Sequence, residues 1–297
     1  MILIDYSQVA LAAILTFQRE LKGTESEVKN LIRHVTLATI KSYKKKYGKE
    51  YGDVVICCDG RKYWRREFFE HYKGMRKSNR EKSDLDWGLI FDTLTEMRID
   101  LDTYFPYKVL HVDRAEADDI IAVMTKYVQD NELVQEGLVE ESQKVLILSS
   151  DKDFKQLQLY PNVKQWSPMQ KKYVTATKQE IIEHKIEHIV KGDAGDGVPN
   201  ILSKDDVFMI GERQKPMSAK RLQEFFASGF AACKNDDERR NWHRNATLVD
   251  FEFIPEDVTK DIVNTYLNKK PTGDKMAIMN YLIEHKCRLL LDELEDF

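Results

Sequence analysis

Cysteine is scarce in this chain, four among 297 residues. None is spaced as a C-x-x-C pair, which argues against a disulfide framework and the common thiolate metal and redox motifs. Cys57 and Cys58 adjoin within an apolar run while Cys233 and Cys287 stand alone, so all four read as buried thiols. Long hydrophobic runs are missing too: no stretch approaches the roughly 18 apolar residues of a membrane span. The chain opens on strand-like Ile2-Leu3-Ile4 with no basic segment and apolar h-region before it. These absences predict a soluble, cytoplasmic protein without a membrane partner. No internal repeat, low-complexity tract or Gly/Ser-rich linker separates one part of the chain from another. Positive charge is not in excess either, with 46 Lys and Arg against 50 Asp and Glu and a net charge of −4. Any affinity for nucleic acid must therefore come from local basic patches.

What is present is a 42% hydrophobic content, enough for one large α/β domain and a smaller one. Met1-Ile2-Leu3-Ile4, Val54-Val55-Ile56-Cys57-Cys58 and Val145-Leu146-Ile147-Leu148 are apolar, β-branched runs of the kind that form fully buried parallel strands. Tyr107 to Val112 and Val163 to Trp166 read as further strands. Apolar positions at three- and four-residue intervals predict helices over Val9–Leu21, Glu27–Tyr47, Glu116–Asp130 and Lys178–Lys191. Two more helices flank a hinge near Ser78 to Ser83. The alternation predicts an α/β fold, a central mostly parallel sheet with helices on both faces. From Thr177 the pattern turns helical, so the expected domains are 1–190 and a smaller α-helical region, 191–297.

Acidic residues sit where the predicted strands end: Asp5, Asp59, Glu116 with Asp118 and Asp119, Asp151 with Asp153, and Asp193 with Asp196 in a glycine-rich turn. Open α/β sheets place their chemistry at the carboxyl ends of strands. Carboxylates gathered there raise one another's pKa values unless divalent cations neutralise them, which points to a magnesium-type site. Glu116 and Asp119 share one helical face and Asp118 an adjoining one. Each group also has a plainer reading as a helix cap or an Asx turn. Several acidic groups after neighbouring strands weigh against capping for the set, and least for Asp119. Between Asp59 and Asp86 lies the local basic patch. Residues 61–82 carry nine Lys or Arg against three Glu, a net of +6, interleaved with Tyr63, Trp64, Phe68, Phe69 and Tyr72. Such a mixture suits phosphate contact and base stacking on a single strand, although charged helical faces are more often merely solvated.

The order Asp5, Asp59-Gly60, Tyr72-Lys73-Gly74-Met75-Arg76, Glu116-Ala117-Asp118-Asp119, Ser150-Asp151-Lys152-Asp153-Phe154 and Gly192-Asp193 with Asp196 resembles the flap-endonuclease or 5′-nuclease family over nearly the whole chain. Tyr160 to Met169 and Val249-Asp250-Phe251 with Ile254-Pro255 resemble the branch carried by T-even-like phages.

The resemblance implies a PIN/5′-nuclease-like fold with a basic helical arch over about 60–85. It implies a Mg²⁺-dependent 5′ to 3′ exonuclease and flap endonuclease that removes RNA primers and adjacent DNA in phage replication, in the cytoplasm of an infected host. Two ions are implied, with Mn²⁺ able to substitute. Asp5, Asp59, Glu116, Asp118 and Asp151 match the first site, with Asp119 contributing or standing behind it. Asp153, Asp193 and Asp196 match the second, largely through water. Lys73 and Arg76, with Asp118 and Asp151, match the catalytic set, the basic pair contacting the scissile phosphate. Lys62, Arg65, Arg66, Tyr72 and Lys204 are the expected nucleic-acid contacts. The implied partners are flap or forked DNA and RNA–DNA hybrid, a single-stranded DNA-binding protein on the helical region and a sliding clamp at a terminal segment, with the enzyme a monomer. The amphipathic tail around Tyr281 to Leu294 reads equally well as core. One departure stands out: residues 198–206 lack the Gly-x-Gly-Lys arrangement by which cellular members grip a duplex.

Two other classes compete. His184, Glu187 and His188 fit the H-x-x-E-H pattern of zinc metalloproteases. No third ligand is evident, and Ile182, Ile186, Ile189 and Val190 make an ordinary packed helix. A non-catalytic flap-binding module would require loss of acidic ligands, and the set is complete.

Overall fold

The computed structural model describes residues 1–76, 83–130 and 143–297. The expected hinge near Ser78 to Ser83 and the distal part of the expected arch lie largely outside them. Six strands form one sheet: β1 (Ile2–Asp5), β2 (Val54–Cys58), β3 (Lys108–His111), β4 (Val145–Leu148), β5 (Val163–Ser167) and β6 (Lys172–Val174). Their order is β3-β2-β1-β4-β5-β6, all parallel except β6. The chain runs outward from β1 through β2 to β3, then returns to β4 on the other side of β1. That reversal makes the gap beyond the carboxyl ends of β1 and β4 the switch point where such sheets bind ligands.

The central strands are apolar because both faces are covered. Ile2, Ile4, Val54, Ile56, Leu146 and Leu148 face a core shared with α1 (Tyr6–Ile14), α2 (Glu25–Tyr51), α4 (Trp87–Tyr104) and α10 (Lys275–Glu284). On the opposite face α5 (Ala117–Gln129) packs against β1 and β2. Thr24 and Glu27 form the capping box that starts α2, two residues before the position the periodicity indicates. The single helix expected over Val9–Leu21 is instead α1 followed by short 3₁₀ turns at Leu15–Phe17 and Glu20–Lys22.

By compactness the chain forms two interleaved units rather than two consecutive ones. One comprises residues 1–61, 84–175 and 259–297, and the other 62–83 and 176–258. Two packing facts account for this. Phe69 and Tyr72 are buried with Val198 and Leu248, which draws the early segment into the later unit. Tyr281, Leu282, Leu290 and Phe297 join the core around the sheet, so the tail from Tyr281 is core. The helical unit contains α3 (Trp64–Phe68), α6 (Lys178–Lys191), α7 (Ala219–Ser228) and α8 (Asp236–Val249), with α6 packed on α7 and α8. The last helix, α9 (Glu256–Asn268), carries the crossing between units at Val258 and Thr259.

Candidate active site

Seven of the nine expected acidic ligands belong to the sheet unit. Asp5 ends β1 and caps α1, its Oδ1 accepting from the Gln8 amide at 3.2 Å. Its Oδ2 accepts from the Ser149 hydroxyl at 2.9 Å. Asp59 follows β2, and its Oδ1 accepts from the Ala117 amide at 3.0 Å, fastening this strand end to the first residue of α5. Glu116 and Asp119 make a reciprocal cap at that helix start, with Asp119 Oδ2 accepting from the Glu116 amide at 2.9 Å. Both are buried, while Asp118 is half-buried between them in sequence. Asp151 follows β4 and accepts from the Asp153 amide at 2.9 Å. The capping chemistry that competes with the cation reading is thus present, and it is what holds these carboxylates at the strand ends.

Their mutual charge is visible in Asp5, whose carboxyl is pushed up to about 7 by burial and by the negative charge of Asp59 and Asp151, against the lowering hydrogen bonds from Ser149 and the Gln8 amide. Oxygen-only, like-charged donors at a sheet switch point suit a hard divalent cation. Among the described residues, no group of three or more His, Cys, Asp or Glu side chains is already arranged as a metal site. The carboxylates have amides and a hydroxyl for partners instead.

Three supporting residues escape the acidic pattern. The buried Ser149 hydroxyl bridges the two strand ends, donating to Asp5 and accepting from the Asp151 amide at 3.1 Å. Gln165, fully buried on β5, donates to the carbonyls of Ser149 at 3.0 Å and Asp151 at 2.6 Å, fixing the turn after β4. Gln8 Oε1 accepts from the Ser150 amide at 3.2 Å. Gln165 alternates with the exposed Lys164, which places it on the inward face of β5, where a buried amide must find partners.

Asp193 and Asp196 lie in the helical unit, on the turn that follows α6. Gly192 ends α6 at φ 68°, where an added Cβ would come within 2.3 Å of the Val198 carbonyl oxygen. Asp193 accepts from the Gly195 amide at 2.8 Å and lies 3.0 Å from His188 Nε2. Asp196 faces the basic element: 2.5 Å from Arg76 Nη2, 3.2 Å from the Tyr72 hydroxyl and 3.9 Å from Lys73 Nζ. Lys73 also donates its backbone amide to the Asp196 carbonyl at 2.7 Å.

Two expected strand contacts change role. Arg65 is 3% exposed, donates Nε to the Leu248 carbonyl at 2.9 Å and stacks on Trp64, so it braces α3 against α8. Tyr72 is 4% exposed, its ring in the cluster with Phe69, Val198 and Leu248 and its hydroxyl on Asp196, so it offers no face to a base. Lys62, Arg66 and Lys204 are exposed. Lys204 borders a cavity of about 440 Å³ that Lys215 and Arg240 also line. In the H-x-x-E-H segment Glu187 pairs with Lys191 at 2.5 Å, and His188 is buried with its Nε2 against Asp193.

Comparison with known proteins gives the family and the fold. Residues 1–187 match the family model of the 5′-3′ exonuclease N-terminal resolvase-like domain, and residues 180–297 match that of the T4 RNase H C-terminal domain. The two models meet near the expected domain division, although the compact units part elsewhere. The ribonuclease H of Enterobacteria phage T4 is 34% identical over 305 aligned positions, covering 99% of this chain and 95% of that protein. A flap endonuclease Xni of Shewanella piezotolerans is 33% identical over 182, covering 59% of this chain and 60% of its own length. Among solved structures, the 5′-exonuclease of bacteriophage T5 with bound zinc superposes with a TM-score of 0.57 at 17% identity, covering 91% of this chain and 98% of that one. The T5 flap endonuclease in complex with DNA and metal ions gives 0.56 at 18%, covering 90% and 99%. At such identities these structures speak for the fold. Among the described residues, no helix is long and apolar enough to cross a membrane.

Proposed function

This chain belongs to the 5′-3′ exonuclease family, in the branch of the phage T4 ribonuclease H, and from that premise we propose that it is a Mg²⁺-dependent 5′ to 3′ exonuclease and flap endonuclease that removes RNA primers and adjacent DNA from lagging-strand fragments in phage replication. The observation that carries the proposal is the acidic edge, where Asp5 and Asp151 stand on the two sides of the sheet's switch point joined through Ser149.

Asp5, Asp59, Glu116, Asp118 and Asp151 are the proposed holders of one Mg²⁺, with Asp119 orienting Glu116 from behind. The family resemblance assigns Asp153, Asp193 and Asp196 to a second ion, and Mn²⁺ has the same preference for oxygen donors. When bound, such cations supply Lewis acidity and neutralise charge in an in-line displacement at phosphorus. The protein's own contribution is positional. Capping bonds hold the carboxylates at the strand ends, and Gln165 keeps the turn after β4 in place. Lys73 and Arg76 are the proposed phosphate contacts, where two cations would stabilise developing negative charge. Lys62, Arg66 and Lys204 would steer the strand through phosphates rather than bases. Residues 1–190 are the proposed nuclease region, with the basic arch, and 191–297 the proposed helical DNA-binding one, acting as a monomer in the cytoplasm of the infected cell. A single-stranded DNA-binding protein and a sliding clamp are its proposed partners.

Digestion of a 5′-labelled flap and of an RNA-primed nick, in Mg²⁺ and in EDTA, tests the proposal. Short 5′ products should appear from both with Mg²⁺, or with Mn²⁺ in its place, and none in EDTA. No cation-dependent cleavage of either substrate would overturn it.

A further inference from the structure

Asp196 stands among three donors of the early segment. Its Oδ1 is 2.5 Å from Arg76 Nη2, and its Oδ2 is 3.2 Å from the Tyr72 hydroxyl and 3.9 Å from Lys73 Nζ. The backbone makes this encounter unavoidable. Lys73 adopts φ 57°, a conformation uncommon for a non-glycine residue, and donates its amide to the Asp196 carbonyl at 2.7 Å. Gly197, at φ 73°, lies so close that an added Cβ would sit 2.8 Å from the His71 carbonyl oxygen. The Lys73 ammonium is confined further between the rings of Tyr63 and Tyr72, at 5.5 and 5.1 Å from their centres. Only 12% of the Lys73 side chain and 25% of the Asp196 side chain are exposed, so solvent screens this pair less than an open surface pair.

A divalent cation on Asp196 would take at least one of its oxygens and repel the two basic side chains that now share them. Resting on the reading of Lys73 and Arg76 as phosphate contacts, we propose that Asp196 is a positioning residue for both: its carboxylate retains them in the cation-free protein, and a divalent cation at that carboxylate releases them to a substrate phosphate. The same contact then couples cation and substrate. Because such coupling is reciprocal, phosphate bound to Lys73 and Arg76 strengthens cation binding at Asp196 by the same factor.

The test needs neither metal nor cleavage, so its failure is separable from failure of the nuclease assignment. Affinity for a 5′-flap DNA is measured in EDTA by fluorescence anisotropy. Asp196→Asn, nearly isosteric, should bind about five- to tenfold more tightly than wild type, because two cations become available to phosphate. Glu70→Gln makes the same charge change on an exposed side chain beside the basic element and should stay within about twofold. Adding Lys73→Ala and Arg76→Ala to Asp196→Asn should erase the gain. Asp196→Ser, with melting temperatures measured for every variant, guards against a misfolded Asn form. Equal tightening by the Glu70 and Asp196 variants would reduce the effect to general charge and overturn the proposal. So would unchanged or weaker binding by both Asp196 variants at wild-type melting temperature.

Discussion

Ser149 shows how much one small side chain can organise. Its hydroxyl donates to Asp5 and accepts from the Asp151 amide, so it sets the distance between the two strand ends on which the acidic edge depends. Ser149→Ala should raise the Mg²⁺ concentration for half-maximal flap cleavage about tenfold, as expected for a residue that orients a metal ligand. The melting temperature should fall by a few degrees, because the buried Asp5 carboxyl and Asp151 amide lose a partner. Two adjacent arginines divide just as sharply. Arg65→Met removes a buried hydrogen bond to Leu248 and should cost about 1–3 kcal/mol of stability while leaving the salt dependence of DNA binding unchanged. Arg66→Ala, on the exposed side, should leave the melting curve alone and lower the slope of log affinity against log salt by about one. Both arginines look the same in the sequence. Charge content reveals a basic patch but not which side chain the fold will bury, because that depends on Leu248, far away in the chain. The acidic residues of the sheet unit were legible for a related reason: they end or follow the strands β1 to β4, and strand ends are a local property, whereas Asp193 and Asp196 follow a helix.

At the scale of elements, apolar strands were readable because burial on both faces leaves a continuous β-branched run. β6 was not, since Lys172 and Tyr173 are exposed and the strand is a short antiparallel edge. The 3₁₀ turns after α1 were hidden by apolar residues that keep helical spacing while the backbone tightens. The turn from Gly192 to Val198 meets the Tyr72–Arg76 element backbone to backbone. Gly197 combines positive φ with a carbonyl contact that excludes a side chain. Gly197→Ala should lower stability by about 1–3 kcal/mol and separate the Tyr72–Arg76 element from Asp196, read as a drop in melting temperature together with altered flap affinity in EDTA. On the opposite side of that element, Lys73→Ala should cut single-turnover cleavage more than DNA affinity if the ammonium acts at the phosphate. Equal affinity loss with unchanged turnover would make it a binding residue only.

Across the whole molecule, the chain leaves the sheet unit after β2, returns before α4, leaves again after β6 and rejoins within α9. A single boundary near residue 190 describes the family models but not this packing. Interleaving cannot be read from composition, since the deciding contacts join Phe69 and Tyr72 to Val198 and Leu248, more than a hundred residues apart. It places seven carboxylates in one unit and the basic element with Asp193 and Asp196 in the other. The central claim is that the acidic edge of the sheet is the catalytic centre. It is tested most directly by single-turnover cleavage of a 5′-flap in Mg²⁺ by Asp118→Asn and Asp151→Asn, alongside flap binding by the same proteins. Loss of cleavage by about a hundredfold or more in each variant, with flap binding largely retained, is the result the account predicts. Near-wild-type cleavage by both would contradict it.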